Sequence, residues 1–151
     1  MILSNDIRSL VRRVRRRGTD LLSLGPTCRR VVEELSRLID PDLIRVYGGP
    51  SDCTIDVKRP DVLSALRERD KSRWAGSYGT GSIWILESTK RMEGGDVVVP
   101  IEMKDSKVEE MERYGCGVEE VHEYREFGVA HIHGTCPVKD PREFAKLIVK
   151  S

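Results

Sequence analysis

VEEVHEYREFGVAHIHGTCPVKDPREFAKLIVK, residues 118–150, decides the fold of this chain. Two runs of strand-forming residues, 118–126 and 129–139, flank a Phe127–Gly128 turn. A helix then opens with Asp140 at the N-cap, Pro141 at the first helical position and Glu143 two residues on, a strong start signal. Strand, turn, strand and helix in that order make an antiparallel hairpin with a helix returning over it. The unit looks like half of a ferredoxin-like split βαβ arrangement.

Two further units of the same kind lie upstream. The first runs LIRVYGG, a PSD turn, CTIDVK and a helix DVLSALRER (residues 43–69). The second runs SIWILES, a KRMEGGD turn, the strand VVVPIEMK and a helix SKVEEMERYG (residues 82–115). The junctions IDVKRPDV, IEMKDSKV and CPVKDPRE each place a lysine (Lys58, Lys104, Lys139) between strand and helix. They read as a weak internal repeat or as recurring strand-to-helix chemistry. Ahead of the units, SNDIRSLVRRVRRR (4–17) sets Ile7, Leu10, Val11 and Val14 at helical spacing, and Gly18 ends it. A second helix opens at Thr27, with Val31, Val32, Leu35, Leu38 and Ile39 on one side, and closes at Asp40–Pro41–Asp42. The pattern predicts an α+β protein: an antiparallel sheet of about six strands with helices mainly on one face, preceded by two N-terminal helices. The expected organisation is one domain over 1–151, with a basic N-terminal helix and connector (1–24) and an α+β body (25–151).

Composition narrows the setting. The 151 residues contain no glutamine and one asparagine, Asn5, while 34% are charged. Scarce amides and abundant charge are the mark of a thermophile, with an archaeal source the expectation. No apolar run reaches transmembrane length and no signal-peptide pattern is read, so a soluble, cytoplasmic protein is expected. Cys28, Cys53, Cys116 and Cys136 allow three full disulfide pairings, and hyperthermophile proteins can carry disulfides inside the cell. No CxxC is present, which argues against a zinc ribbon.

Charge is unevenly spread. Residues 1–30 hold eight arginines against Asp6 and Asp20, whereas residues 102–126 hold nine acids against four bases. A basic end and an acidic flank suggest a polyanionic partner or self-association, so a homo-oligomer is expected and a membrane partner is not. The run Arg12, Arg13, Arg15, Arg16 and Arg17 suits phosphate neutralisation without sequence reading. The plainer alternative is a solvated helix face whose apolar stripe packs or dimerises.

Both tryptophans of the chain fall in KSRWAGSYGTGSIW (71–84), with Tyr78 between them. Arg67, Arg69, Lys71 and Arg73 lead into Trp74 and Tyr78, and three glycines allow close backbone approach. Cations beside aromatic rings are what single-stranded nucleic acid needs, phosphates on the former and bases stacked on the latter. On the strand SIWILES, Ile83 and Ile85 can face the core while Trp84 and Leu86 line the other face. Trp84 is expected to be less accessible than Trp74 and Tyr78. The alternative is that these rings are ordinary core.

Glu102-x-Lys104, with Asp52 upstream and Glu33 or Glu34 on a preceding helix, resembles the PD-(D/E)xK nuclease superfamily. By that resemblance Glu34, Asp52 and Glu102 form the acidic set, Asp52 and Glu102 bind Mg²⁺, and Lys104 positions the attacking water. Asp56-x-Lys58 repeats the pattern, so a structural origin also explains it. His131-Ile132-His133 resembles the His-hydrophobic-His of rolling-circle replication nucleases, but no tyrosine follows to act as nucleophile. Cys116, His122, His131, His133 and Cys136 are candidate metal ligands, weighed against histidines that merely sit on a sheet. No phosphate-binding loop or hydrolase nucleophile motif is found.

In size, thermophile composition and basic–aromatic character the whole chain resembles the archaeal ThermoDBP-type single-stranded-DNA-binding proteins. The basic and aromatic residues, in keeping with that resemblance, lead to the expectation of a non-catalytic, cofactor-free protein that binds single-stranded DNA or RNA without strong sequence preference. A Mg²⁺-dependent nuclease is the alternative, and a protein-interaction or structural module a second.

Overall fold

Six strands pair edge to edge into one antiparallel sheet. The computed structural model describes residues 21–66 and 81–150. The expected basic helix over 4–17 lies outside them, and so do Arg12, Arg13, Arg15, Arg16, Arg17, Arg67, Arg69, Lys71, Arg73, Trp74 and Tyr78. The described elements are α1 (Pro26–Leu38), β1 (Ile44–Gly48), β2 (Asp52–Val57), α2 (Pro60–Ala65), β3 (Gly81–Leu86), β4 (Arg91–Pro100), α3 (Lys104–Tyr114), β5 (Gly117–Tyr124), β6 (Val129–Pro137) and α4 (Pro141–Val149). The strand order is β1-β2-β3-β4-β6-β5. β1 to β4 form a meander. β6 then inserts between β4 and β5, so β4, α3 and β5 make a split βαβ unit. The protein is α+β, as the strand–strand–helix reading expects.

Period-two alternation divides the sheet into two faces. Ile44, Val46, Cys53, Ile55, Ile83, Ile85, Met92, Val97, Val99, Ala130 and Ile132 point to one face and are buried. Against them pack α1 through Cys28, Val31, Val32 and Leu35, α3 through Met111, and α4 through Phe144, Leu147 and Ile148. α2 is the exception. Its Val62, with Leu66 just beyond, packs on Val98 and Val129, which belong to the opposite face. Helices therefore cover one face, and α2 covers a single corner of the other.

Two cysteine pairs staple the helical side. Cys28 of α1 is bonded to Cys53 of β2, and Cys116, just ahead of β5, to Cys136 of β6. Two buried cations finish α4. Arg59 Nη1 donates to the Ile148 carbonyl at 3.3 Å, and Lys107 Nζ donates to the Lys150 carbonyl at 2.5 Å. Cations suit the negative end of a helix dipole and satisfy its orphan carbonyls. Burial pushes the Lys107 ammonium below the usual lysine range, and neighbouring Arg59 pushes it the same way. Among the described residues no helix is long and apolar enough to cross a membrane.

Both ends of β4 differ from the sequence reading, and the helix read through Arg69 ends at Ala65, with Leu66 extended. KRMEGGD is not the turn: Glu87 to Lys90 form it, with Lys90 in the left-handed region at φ 53°. β4 starts at Arg91 and absorbs Met92 to Asp96 through a register shift against β3 between Trp84 and Ile85. Gly95 makes this possible, because a Cβ there would sit 2.5 Å from the Ser82 carbonyl oxygen. Likewise IEMK is not strand. Pro100 ends β4, residues 101–103 form a short 3-10 turn, and Lys104 begins α3. The start of α4 is as expected, with the Asp140 carboxylate accepting from the Arg142 N–H at 2.9 Å.

Candidate functional site

The face left bare by α1, α3 and α4 carries the side chains that alternate with the core residues. Register lines them up across the strands. One row runs Tyr47, Thr54, Trp84, Gly94. The next runs Arg45, Asp56, Ser82, Asp96, His133, Glu120. A third holds Val98, His131 and His122, and a fourth Pro100, Val129 and Tyr124.

Trp84 faces away from the core, as the alternation of SIWILES predicts. It is 38% exposed, alongside Tyr47 at 42% and Tyr124 at 37%. A strand position does not bury it, because nothing among the described residues lies over that part of the sheet. The indole Nε1 donates to Asp52 Oδ2 at 2.8 Å, which fixes the ring's orientation. Beside it Gly94 leaves the sheet bare, with no heavy atom within 4 Å of the point a Cβ would occupy. Leu66 and Gly81, the residues flanking 67–80, both belong to structure at this sheet: Leu66 packs on Val98 and Val129, and Gly81 starts β3.

All three histidines of the chain meet on the same face, His131 and His133 on β6 and His122 on β5, beside Asp96 of β4. The His122 and His133 rings lie edge to face at 5.3 Å, and Tyr124 lies 4.8 Å from the His131 ring. His133 Nδ1 contacts Asp96 Oδ1, and His131 Nδ1 lies 3.9 Å from Asp96 Oδ2. His122 Nε2 is 2.9 Å from Glu120 Oε1. Burial pushes His131 below the usual histidine range, against the opposing pull of Asp96 and with the help of His133 and His122.

The Cys/His grouping read from sequence splits in two. Cys116 and Cys136 point to the helical side and are bonded to each other, so neither offers a thiolate beside the histidines. Alternation is the reason: His131 and His133 sit on odd positions of β6 and Cys136 on an even one.

The nuclease set is not brought together. Asp52 aligns with Leu86, and Leu86 with Arg91 at the start of β4. Glu102 lies beyond the other end of β4, roughly 25–30 Å away at the rise of a strand. Glu34 is on α1, on the far side of the sheet. Lys104 is committed to Glu123, Nζ to Oε1 at 2.6 Å, a contact that raises the lysine pKa and lowers that of the carboxylate. Lys139, the matching junction lysine, donates to the Tyr114 carbonyl at the end of α3 at 3.3 Å. These lysines tie elements together.

Tyr47, Tyr124 and Asp96 were not singled out by sequence. Alternation with buried Val46 and Val97 could have placed Tyr47 and Asp96 on the outer face, had residues 90–96 been read as strand. Fold and site define an α+β protein whose antiparallel sheet is helix-covered on one face and bears aromatic and histidine side chains on the other. No protein-family model, curated protein or solved structure matches the chain.

Proposed function

We propose that this protein binds single-stranded nucleic acid, without strong sequence preference, on the open face of its sheet. The observation that carries the reading is Trp84, exposed and oriented by Asp52 on a flat face that it shares with Tyr47. Aromatic rings held on a sheet are stacking platforms for unpaired bases. In this reading phosphates are met by Arg67, Arg69, Lys71 and Arg73, between Leu66 and Gly81, and by the N-terminal arginines. The test is titration of single- and double-stranded oligonucleotides into wild-type protein, Trp84→Ala and Tyr47→Ala. Losing Trp84 should weaken single-strand binding by ~1–3 kcal/mol with the fold retained, because the ring stands on the outer face and is no part of the buried core. Unchanged affinity in both variants sinks the reading.

One observation favours a second reading. The described part of the face carries Asp52, Asp56, Asp96 and Glu120 against Arg45 and Arg91, an acidic surplus that suits a basic protein segment. The arginine-rich first thirty residues of a second copy have that character. Self-association that falls apart in high salt, combined with no oligonucleotide binding, would favour this interaction module over the first reading.

A further inference from the structure

We propose that Asp96, His131 and His133 form a binding site for a divalent transition-metal ion, Zn²⁺ being the ion that the donor set suits best. The ligating atoms of these three residues all lie within 4.8 Å of one another. One ion at ~2.0–2.2 Å from imidazole nitrogen and carboxylate oxygen needs donors about 3–3.5 Å apart. Small side-chain rotations close that gap. The backbone is already in place, since Asp96 and His133 are direct ladder partners and His131 is two residues along the same face.

The geometry is more than one ion pair. Each oxygen of Asp96 faces a different imidazole, Oδ1 toward His133 and Oδ2 toward His131. A single proton shared with one ring would use only one of them. Two imidazoles and a carboxylate are a borderline donor set, suited to Zn²⁺, Fe²⁺, Co²⁺ or Ni²⁺ rather than to Mg²⁺ or Ca²⁺, which prefer oxygen alone. Three protein ligands also leave coordination positions for water or an anionic oxygen, as in open rather than structural zinc sites. His122, turned toward Glu120, borders that opening beside His133. The proposal is independent of nucleic-acid binding.

The experiment uses untagged, chelator-stripped full-length protein titrated with Zn²⁺ by calorimetry and with Co²⁺ by visible absorption. One equivalent should bind, with cobalt ligand-field bands, and long-range nitrogen NMR should shift the ring signals of His131 and His133. Asp96→Asn, His131→Ala and His133→Ala should each weaken binding at least about tenfold, the scale on which loss of even an outer-shell partner is felt. His122→Ala should keep the stoichiometry. Circular dichroism of each variant separates lost ligation from lost folding, and the wild-type NMR shifts need no variant at all. The absence of stoichiometric binding by the wild type, or its survival in the folded His131→Ala/His133→Ala double variant, overturns the proposal.

Discussion

Glu87 should be the residue on which α1 depends most, although it is 59 residues from the helix N–H it meets. α1 has Gly25 at its N-cap and no capping side chain of its own. The Glu87 carboxylate does that work from the β3–β4 turn. Oε1 accepts from the Thr27 N–H at 3.1 Å and Oε2 from the Cys28 N–H at 2.8 Å. Loss of a cap costs ~0.5–2 kcal/mol. A carboxylate at the positive end of a helix dipole adds ~0.3–1 kcal/mol. The N–H of buried Cys28 is then left unsatisfied, which sets the loss toward the upper end of the capping range. Glu87→Ala should therefore lower stability by about 1–3 kcal/mol. Glu87→Gln should cost less, since one amide oxygen can still accept. Gly25 supplies a sharper check. A Cβ there would lie 2.5 Å from Glu87 Cδ and Cγ, so Gly25→Ala must displace the carboxylate and forfeit the same bonds. With φ at −64° alanine meets no backbone strain, and Gly25→Ala should add little in the Glu87→Ala background. Urea unfolding of both single variants and the double variant, at unchanged m-value, measures this non-additivity. Strictly additive costs, or a Glu87→Ala penalty below about 0.5 kcal/mol, would refute the capping argument.

The disulfides should contribute independently, because their loops do not overlap. Chain-entropy arguments give about 3.5 kcal/mol for Cys28–Cys53 across 25 residues and about 3.3 kcal/mol for Cys116–Cys136 across 20. Paired serine substitutions followed by denaturant unfolding, with thiol counting of the wild type, check both figures; free thiols in the native protein would contradict the pairing. Glu33 should be a cost at neutral pH. Burial raises its pKa, despite Arg29, Arg37 and Arg30 nearby, so the folded state holds the proton more tightly than the unfolded chain. That contribution is fully present below the ordinary glutamate value and is lost as pH rises through the raised one. Glu33→Gln should thus raise the melting temperature at pH 7, with the advantage shrinking as the medium is acidified toward the ordinary glutamate range; a lower melting temperature at pH 7 would contradict this.

Local rules made most of the elements legible. Ile83 and Ile85 alternating with Trp84 and Leu86 told which side of β3 would be buried, and Asp140–Pro141 marked the start of α4. Each is a property of a few adjacent residues, governed by the two-residue period of a strand or by the orphan N–H groups of a helix. Where local signals conflicted, tertiary contacts prevailed. Gly94–Gly95 reads as a turn, yet pairing with β3 and β6 draws it into β4. Thr27 reads as a cap, yet the cap comes from Glu87. The insertion of β6 between β4 and β5, the choice among three cysteine pairings, and the meeting of Asp96 with His131 and His133 were decided only by the packed sheet. These join residues distant in sequence, and their partners are selected by the burial of a whole face rather than by any neighbour in the chain. The same long-range order placed Asp52 and Glu102 at opposite ends of the sheet, a separation that no motif spacing reveals.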